Sequence, residues 1–236
     1  MGAVSGWTLV RHIWFPPDVN ASVDFPATTH GGPVTLPIFE VQVDQKQLLR
    51  ARFRKVRREH VAALPEVTRK LLFLRPPAPI AALAGEGSTV GLYHATSDEA
   101  PTRAYAQWFF ENGRAISLPW FAARDEPMRF RAWHDPFEDT GLEPGPYGAL
   151  QPRSNALDVT PALAFVPLLA FGADGERLGQ GGGHYDLWLA AHSETQAVGL
   201  AWDCQLAQAL PCEPHDRLLH AVVTPTRYYE SAPDAR

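Results

Sequence analysis

The feature that most limits the fold of this chain is an almost unbroken apolar run, ALAFVPLLAF, at residues 162–171. A strand with one face in solvent alternates apolar and polar side chains, whereas a strand covered on both faces is apolar along its whole length. The run therefore predicts an internal strand of a parallel sheet. Two shorter stretches, AVGLAW at 197–202 and HAVVTP at 220–225, predict two more buried strands.

Helix and strand patterns alternate around these three strands. Apolar residues at helical spacing, together with capping and breaking residues, predict helices at 44–64, 66–74, 101–112 and 185–192. Shorter β-type patterns predict strands at 89–95, 114–119 and 128–133. The alternation predicts an α/β fold of three layers, in which a mainly parallel central sheet carries helices on both faces, as in Rossmann-like proteins. Residues 134–157, rich in Pro, Gly and acids, are expected to form a long loop.

The first 43 residues differ from the rest of the chain. They hold prolines, glycines and scattered aromatics, and only the pieces at 8–15 and 33–43 have a strand-like pattern. This composition indicates an N-terminal extension, an edge hairpin or a partly disordered arm. We therefore expect a single α/β domain at 44–230, preceded by the extension at 1–43 and followed by a tail at 231–236.

Charge and cysteine content exclude several classes of protein. A net charge of -5 and a pI near 6.0 argue against a general nucleic-acid-binding protein, which is usually strongly basic. Two cysteines, Cys204 and Cys212, do not make a disulfide framework, which favours a reducing, cytoplasmic location. No apolar run reaches the ~18 residues of a membrane-spanning helix, so we expect no membrane association.

The stretch GERLGQGGGHYDLWL, residues 175–189, follows the long apolar run and contains five glycines between positions 175 and 183. Backbone N–H groups at the start of a helix bind anions, and glycine permits the positive φ angles and close approach that a phosphate needs. The loop lacks the Gly-Lys-Ser/Thr ending of a Walker A motif. It is interpreted as a phosphate-binding loop, with a flexible surface turn as the alternative.

Side chains beside this loop have both functional and structural interpretations. Arg177 has the fork geometry that binds a phosphate through two hydrogen bonds. Asp186 is a candidate magnesium ligand, or a helix cap or ion-pair partner. On the first helix, Lys46, Arg50, Arg54 and either residue 57 or 58 form a basic stripe, which is a solvated face unless an anion lies beside it.

Four stretches in order carry a resemblance to a known family. They are KQLLR at 46–50, GLYHATSDEAPT at 91–102, VPLLAFGADGERLGQGGGHYDLWL at 166–189, and GLAWDCQ with LPCEPHDRLLHAVVTP over 199–225. Together they resemble the 5-formyltetrahydrofolate cyclo-ligases, also called methenyltetrahydrofolate synthetases. The glycine-rich stretch combined with the C-terminal one is specific, and the likeness spans about residues 44 to 229.

The resemblance implies an activity and a set of ligands. The family converts ATP and 5-formyltetrahydrofolate to ADP, phosphate and 5,10-methenyltetrahydrofolate in the presence of Mg2+. The implied partners are therefore ATP and a reduced folate, and we expect a monomer or a weak dimer. The implied sheet is of the type found in sugar-phosphate isomerases and CoA-transferases.

The resemblance also implies roles for individual residues. Those implied to bind ATP are Lys46, Gln47, Leu48, Leu49, Arg50, Arg177, Leu178, Gly179, Gln180, Gly181, Gly182, Gly183, His184 and Tyr185. Those implied to bind the folate are His94, Glu99, Gly181, Gly182, Gly183 and Tyr185. The implied metal ligands are Asp186 and Asp216, and the implied catalytic residues are Arg177 and Lys46.

Three positions depart from the family pattern. His184 stands where Phe or Tyr is usual, Gln180 replaces a bulky residue, and Gln151 replaces a glutamate. These departures leave open a paralogue that binds folate or nucleotide without turnover. A third reading, an enzyme of the sugar-phosphate isomerase or CoA-transferase type, would leave Lys46 and Arg50 far from the glycine loop.

Overall fold

The computed structural model describes residues 38–213 and 216–231, with side chains from Gln45 onward. The strand-like piece at 8–15 lies outside the described residues. Because residues 1–37 and 232–236 also lie outside them, the division into extension, domain and tail stays a prediction.

The described chain contains five α-helices, an eight-stranded sheet and two separate hairpins. The helices are α1 (Ile38–Ala63), α2 (Glu66–Lys70), α3 (Ala78–Ala81), α4 (Arg103–Glu111) and α5 (His184–Ala191). The strands of the large sheet are β1 (Thr89–Gly91), β2 (Ala115–Trp120), β3 (Arg129–Ala132), β6 (Asp158–Val159), β7 (Leu163–Pro167), β10 (Gln196–Leu200), β11 (Ala221–Val223) and β12 (Tyr228–Glu230). The hairpins are β4 (Leu142–Pro144) with β5 (Leu150–Pro152), and β8 (Ala170–Phe171) with β9 (Arg177–Leu178).

The large sheet has the strand order β12-β11-β10-β7-β1-β2-β3-β6. Its five central strands, from β11 to β2, are parallel, and antiparallel strands are added at both edges. The predicted α/β class with a mainly parallel sheet is confirmed. The central strand β7 is buried along Leu163–Val166, as its unbroken apolar sequence predicts.

Helices cover both faces of the sheet, which confirms the three layers. On β7, Leu163 and Phe165 point to the face that carries α4, where Phe109 completes the core. Ala164 and Val166 point to the other face, where Trp188 of α5 packs. Because successive side chains of a strand alternate between faces, one apolar strand supplies both cores.

The first two helices differ from the prediction. Residues 38–43, predicted as part of a strand, belong to α1, which therefore begins at Ile38 instead of at residue 44. A short alternation resembled a strand, but no Gly or Pro separates residues 38 and 64, so nothing interrupts the helix. Helix α2 ends at Lys70 instead of 74 because Phe73 adopts a positive φ of 55° and inserts its ring against Tyr105.

The apolar run at 162–171 is two strands instead of one. It breaks at Leu168 and Leu169, after which β8 leaves the large sheet and pairs with β9. The side-chain amide of Gln205 donates to both carbonyl oxygens at the break, at 2.8 and 3.1 Å, and Arg57 donates to that of Leu168 at 3.3 Å. Buried carbonyls released from a sheet need such partners. The break directs the following hairpin and its glycine-rich loop toward α1.

The predicted loop at 134–157 contains the β4–β5 hairpin. Its strands are three residues each, too short for their alternation to stand out in a segment rich in Pro and Gly. The segment between α2 and β1 contains the single-turn helix α3, which buries Ile80.

The turn between β8 and β9 depends on Gly175. Its φ is +93°, and a Cβ there would lie 2.6 Å from the carbonyl oxygen of Leu219 and 2.1 Å from Oγ of Ser231. We expect Gly175→Ala to lower the free energy of unfolding by about 3 kcal/mol, since backbone strain and a clash with main chain add together. Denaturant titration measures this. Gly87→Ala, which has a similar φ of +74° but open space around it, should cost only about 1 kcal/mol. Equal losses in the two variants would contradict the packing argument.

Candidate functional site

The glycine-rich loop runs from the end of β9 into the first turn of α5. Two of its glycines have positive φ angles, Gly181 at +110° and Gly183 at +66°, and Gly183 is the residue before α5 begins. Residues with a Cβ rarely adopt such angles, so the glycines at these positions are required by the backbone. The predicted order of strand, glycine loop and helix is confirmed.

The basic stripe of α1 lies against this loop. Arg50 Nε donates to the carbonyl oxygen of Gly179 at 3.1 Å. One turn later, Arg54 donates to the carbonyl oxygen of Gln180 at 3.0 Å and to its side-chain oxygen at 3.2 Å. The stripe is therefore not a solvated helix face. The contact also contradicts the sugar-phosphate isomerase reading, which requires Arg50 to be far from the loop.

Lys46 lies one turn before Arg50 and is buried. Its Nζ is 2.9 Å from Asp216 Oδ2 and 3.0 Å from Glu213 Oε1. Burial lowers the pKa of Lys46, but the hydrogen bonds and charges of Asp216 and Glu213 outweigh it, so the pKa is raised. Lys46 is thus a fixed positive charge that draws the C-terminal segment toward the head of α1.

Arg177 of β9 forms an ion pair with Asp186 of α5. The Arg177 side chain is only 5% exposed, whereas Asp186 is 25% exposed. Both line the same cavity as the glycine loop. The pair places one cation and one carboxylate on the wall of this cavity.

Arg57 connects α1 with the predicted folate residue Glu99. It is buried, its Nη2 lies 3.1 Å from Asp98 Oδ2, and its Nη1 lies 3.8 Å from Glu99 Oε1. Glu99 also accepts a hydrogen bond from the backbone N–H of Thr96 at 2.9 Å. The sequence left open whether residue 57 or 58 continued the basic stripe. Spacing of seven from Arg50 places Arg57 on the same side of the helix, and this spacing is the signal that identifies it.

A cavity of about 510 Å3 lies between the glycine loop, the segment after β1 and the β4–β5 hairpin. The predicted folate residues His94, Glu99 and Tyr185 all line it. Tyr185 packs its ring against Phe130, and its buried hydroxyl has no hydrogen-bond partner among residues 38–213 and 216–231. Burial raises the pKa of Tyr185 and lowers that of His94, so both are uncharged at neutral pH.

Three aromatic side chains close one side of this cavity. Tyr147 of the segment between β4 and β5 shares a hydrogen bond with His184 Nε2 at 2.9 Å. Phe121, just after β2, lies with its ring centroid 4.8 Å from Tyr147 and 5.0 Å from His184. His184, which departs from the family pattern, therefore joins the glycine loop to the hairpin. The sequence did not indicate the roles of Phe121 and Tyr147, because three separate segments meet here.

Gln151 holds Phe121 in place. Its side-chain oxygen accepts from the backbone N–H of Phe121 and its Nε2 donates to the Phe121 carbonyl, both at 3.1 Å. Gln151 is buried, and it lines the cavity. An amide supplies one donor and one acceptor, which a carboxylate cannot do. Glutamine, in place of the family's glutamate, therefore supplies both hydrogen bonds that hold the backbone of Phe121.

We expect Gln151→Glu to lower the free energy of unfolding by about 2 kcal/mol at pH 7, because a buried carbonyl loses its donor and faces a carboxylate. Protonation of the new carboxyl restores a donor, so the loss should shrink as the pH falls toward 5. Denaturation at both pH values measures it, with the exposed Gln45→Glu as control. A loss that is independent of pH would contradict this account.

The remaining predicted site residues divide into packed and exposed ones. Leu49 and Leu178 pack around Phe53 in a small apolar cluster beneath the loop. Gln47 is exposed, and Leu48 is 72% exposed, so these two side chains face solvent. The two predicted metal ligands are paired with different cations, Asp186 with Arg177 and Asp216 with Lys46. In the described part of the chain, no three His, Cys, Asp or Glu side chains cluster as a metal site.

Comparison with known proteins decides the family. A model of the 5-formyltetrahydrofolate cyclo-ligase family matches residues 42–225, which is most of the chain and includes every element of the site. The chain belongs to the 5-formyltetrahydrofolate cyclo-ligase family. Membership makes the chain a ligase by class, and it confirms the resemblance found in the sequence.

Individual cyclo-ligases are similar over much of their length. The chain is 34% identical over 151 residues to the 5-formyltetrahydrofolate cyclo-ligase of Escherichia coli K12, covering 60% of this chain and 80% of that one. It is 26% identical over 155 residues to the cyclo-ligase of Mus musculus, covering 61% of this chain and 74% of that one.

The fold of the family is known from solved structures. The NMR structure of the 5,10-methenyltetrahydrofolate synthetase of Aquifex aeolicus matches with a TM-score of 0.60 at 24% identity, covering 78% of this chain and 92% of that one. This likeness confirms the fold alone. Within residues 38–213 and 216–231, none of the helices has the length and apolar character needed to span a bilayer.

Proposed function

We propose that this cyclo-ligase family member converts 5-formyltetrahydrofolate to 5,10-methenyltetrahydrofolate, using ATP and Mg2+ and releasing ADP and phosphate. The observation that carries the proposal is the contact of the basic stripe of α1 with the glycine loop, at the mouth of a cavity that contains Glu99 and Tyr185. The proposed phosphate-binding and pterin-binding residues are therefore adjacent, as transfer of a phosphoryl group from ATP to the folate requires.

The triphosphate of ATP is assigned to the glycine loop. The first turn of α5, where backbone N–H groups have no partner within the helix, and the guanidinium groups of Arg50, Arg54 and Arg177 surround the loop. Charge-assisted hydrogen bonds from Arg to phosphate are among the strongest that proteins make. Gly181 is required by its φ of +110°, an angle that residues with a Cβ rarely adopt, and it lies beside the guanidinium of Arg50.

The donor set fits a magnesium ion that is held partly by its substrate. Mg2+ binds proteins through one or two carboxylates and completes its shell with phosphate oxygens and water, so it does not need three clustered protein ligands. Asp186 is a partly exposed carboxylate on the cavity wall beside Arg177. We assign Asp186 as one ligand and Asp216 as the second. The ion supplies neutralisation of the phosphate charge.

The pterin is assigned to the cavity beside Glu99. A carboxylate accepts hydrogen bonds from both the amino group and a ring nitrogen of a pterin. Tyr185, with an unpaired buried hydroxyl, forms the wall between Glu99 and the phosphate loop. A volume of about 510 Å3 lies within the usual range for small-molecule sites.

The chemistry follows from this arrangement. The formyl oxygen on N5 is a poor leaving group, and transfer of the γ-phosphoryl group to it, with release of ADP, makes it a good one. N10 then attacks the activated carbon and gives up its proton, the ring closes, and the C–O bond breaks as phosphate departs with the former formyl oxygen and the proton. Arg177 and Lys46 are assigned to orient the phosphates and balance their charge as the bond to ADP breaks. Enclosure by the aromatic side chains limits attack by water.

The direct test is to mix purified protein with 5-formyltetrahydrofolate, ATP and Mg2+ and to follow the near-ultraviolet absorption of the methenyl product. We expect product only when all three are present. Binding of folate or nucleotide without product, at high protein concentration, would favour the alternative function of a folate- or nucleotide-binding paralogue. His184 and Gln151 are the observations that favour that alternative. Location in the cytoplasm stays a prediction.

A further inference from the structure

A second cavity, of about 580 Å3, adjoins the proposed pterin site. It lies between α2, the start of α4 and the segment after β1. The same four residues, Tyr93, His94, Thr96 and Glu99, line both cavities. They form a shared wall, so one extended ligand that follows this wall occupies both spaces. The glycine loop lines only the first cavity, and the second therefore lies on the side of Glu99 away from the proposed phosphates.

The second cavity is rich in cations. Arg69, Lys70 and Arg103 line it. Lys70 pairs with Glu66 at 2.7 Å in an exposed ion pair, and Arg103 pairs with Asp139 at 2.7 Å in a partly exposed one. Arg69 is half-buried, and it forms no ion pair with any carboxylate of the described residues. Arg69 is therefore available to an anion, and Arg103 can contact the same anion by exchanging its partly exposed partner Asp139.

Apolar surface lies beside these cations. The Trp133 ring forms part of the cavity wall, with the guanidinium carbon of Arg103 5.6 Å from its centroid. Leu72 and Leu74 line the cavity near Arg69, and Leu74 is 52% exposed. His94 on the shared wall is neutral, because burial lowers its pKa. The wall of the second cavity thus combines apolar side chains with positively charged ones.

The part of a folate beyond its pterin combines an aromatic group with negative charge, which complements this wall. The pterin is joined to an aromatic aminobenzoyl group, which ends in a glutamate with two carboxylates. We propose that the second cavity binds the aminobenzoyl-glutamate part of the substrate, with Arg69 and Arg103 contacting the glutamate carboxylates. This assignment rests on the proposed function. It makes Arg69 a residue that determines specificity for the glutamate end of the folate. Arg103 Nε also donates a hydrogen bond to the carbonyl oxygen of Pro136 at 3.1 Å, so its replacement would disturb the fold as well as the cavity. Arg69 is therefore the better position for a test by substitution.

Turnover gives the first test. The ratio of kcat/KM for 5-formyltetrahydrofolate to that for 5-formyltetrahydropteroate, which lacks the glutamate, measures how much the tail contributes. One charge-assisted contact at a partly exposed site corresponds to about a tenfold effect. We expect Arg69→Gln to lower the ratio about tenfold, Arg69→Lys to restore part of it, and salt to weaken the wild-type preference. Arg58→Gln, an exposed arginine on α1 outside both cavities, should keep the wild-type ratio.

Binding gives a second test that does not depend on turnover. Calorimetry with N-(4-aminobenzoyl)-L-glutamate should give a Kd that rises about tenfold in Arg69→Gln and is unchanged in Arg58→Gln. Unchanged binding and an unchanged ratio in Arg69→Gln would overturn the assignment while leaving the proposed reaction intact. Arg69-dependent binding without any methenyl product would instead support the cavity and overturn the proposed reaction.

Discussion

Asp186→Asn should lower kcat about 100-fold and raise the Mg2+ concentration needed for half-maximal rate. The carboxylate is partly exposed and lies beside Arg177 on the cavity wall, and an amide is a far weaker ligand for Mg2+. Steady-state rates across a magnesium titration measure both effects. In the proposed reaction the nucleotide carries the metal, so the KM for the folate should change much less than that for ATP.

The same change also removes the partner of a buried guanidinium, because the Arg177 side chain is only 5% exposed. A loss of stability of about 3 kcal/mol is therefore expected as well, and rates should be measured well below the unfolding midpoint. Asp174→Asn, in the exposed turn of the same hairpin, is the matched control and should leave magnesium dependence unchanged. An unaltered magnesium requirement in Asp186→Asn would show that the metal assignment is wrong.

Arg50→Gln should lower kcat/KM for ATP about 100-fold. Arg50 both fixes the loop, through the Gly179 carbonyl at 3.1 Å, and supplies a charge beside Gly181. Loss of a charge-assisted contact to a transferring phosphate typically costs several kcal/mol. The measurement is the ATP dependence of methenyl formation, together with a nucleotide Kd from calorimetry.

Arg52→Gln is the control for this substitution, because Arg52 is exposed on the same helix two residues further along. It should leave both the Kd and kcat/KM within a factor of about two, as exposed changes usually do. Retention of wild-type nucleotide affinity in Arg50→Gln would mean that the contact between α1 and the loop is only structural.

Much of the site was readable from the sequence because it depends on local periodicity. The glycines of the loop lie between an apolar strand and a helix, and the structure keeps that order. Lys46 and Arg50, four residues apart, share one side of α1, and Arg57, seven residues after Arg50, lies on the same side. Such relations involve residues within a few turns of one another, where helix geometry alone decides which side chains are neighbours.

The features that the sequence did not give depend on contacts between distant segments. The chain leaves the large sheet at Leu168 and Leu169. Their carbonyl oxygens accept hydrogen bonds from the side-chain amide of Gln205, which is 37 and 36 residues away. In the sequence, Gln151 is noticeable only because it departs from the family pattern. In the structure, its side chain is hydrogen-bonded to the backbone of Phe121, 30 residues away. Neither contact has a local pattern, since tertiary packing overrides propensity at such positions.

The ion pair at the head of α1 also has a consequence for synthesis of the protein. Lys46 pairs with Asp216, which follows it by 170 residues. At ribosomal speeds of about 5–20 residues per second, roughly ten to thirty seconds separate the appearance of these two residues. Arg50 meets its partner earlier, because Gly179 follows it by 129 residues. The nascent chain therefore carries the basic side of α1 without the glycine loop and without Asp216 while the segment between them is translated.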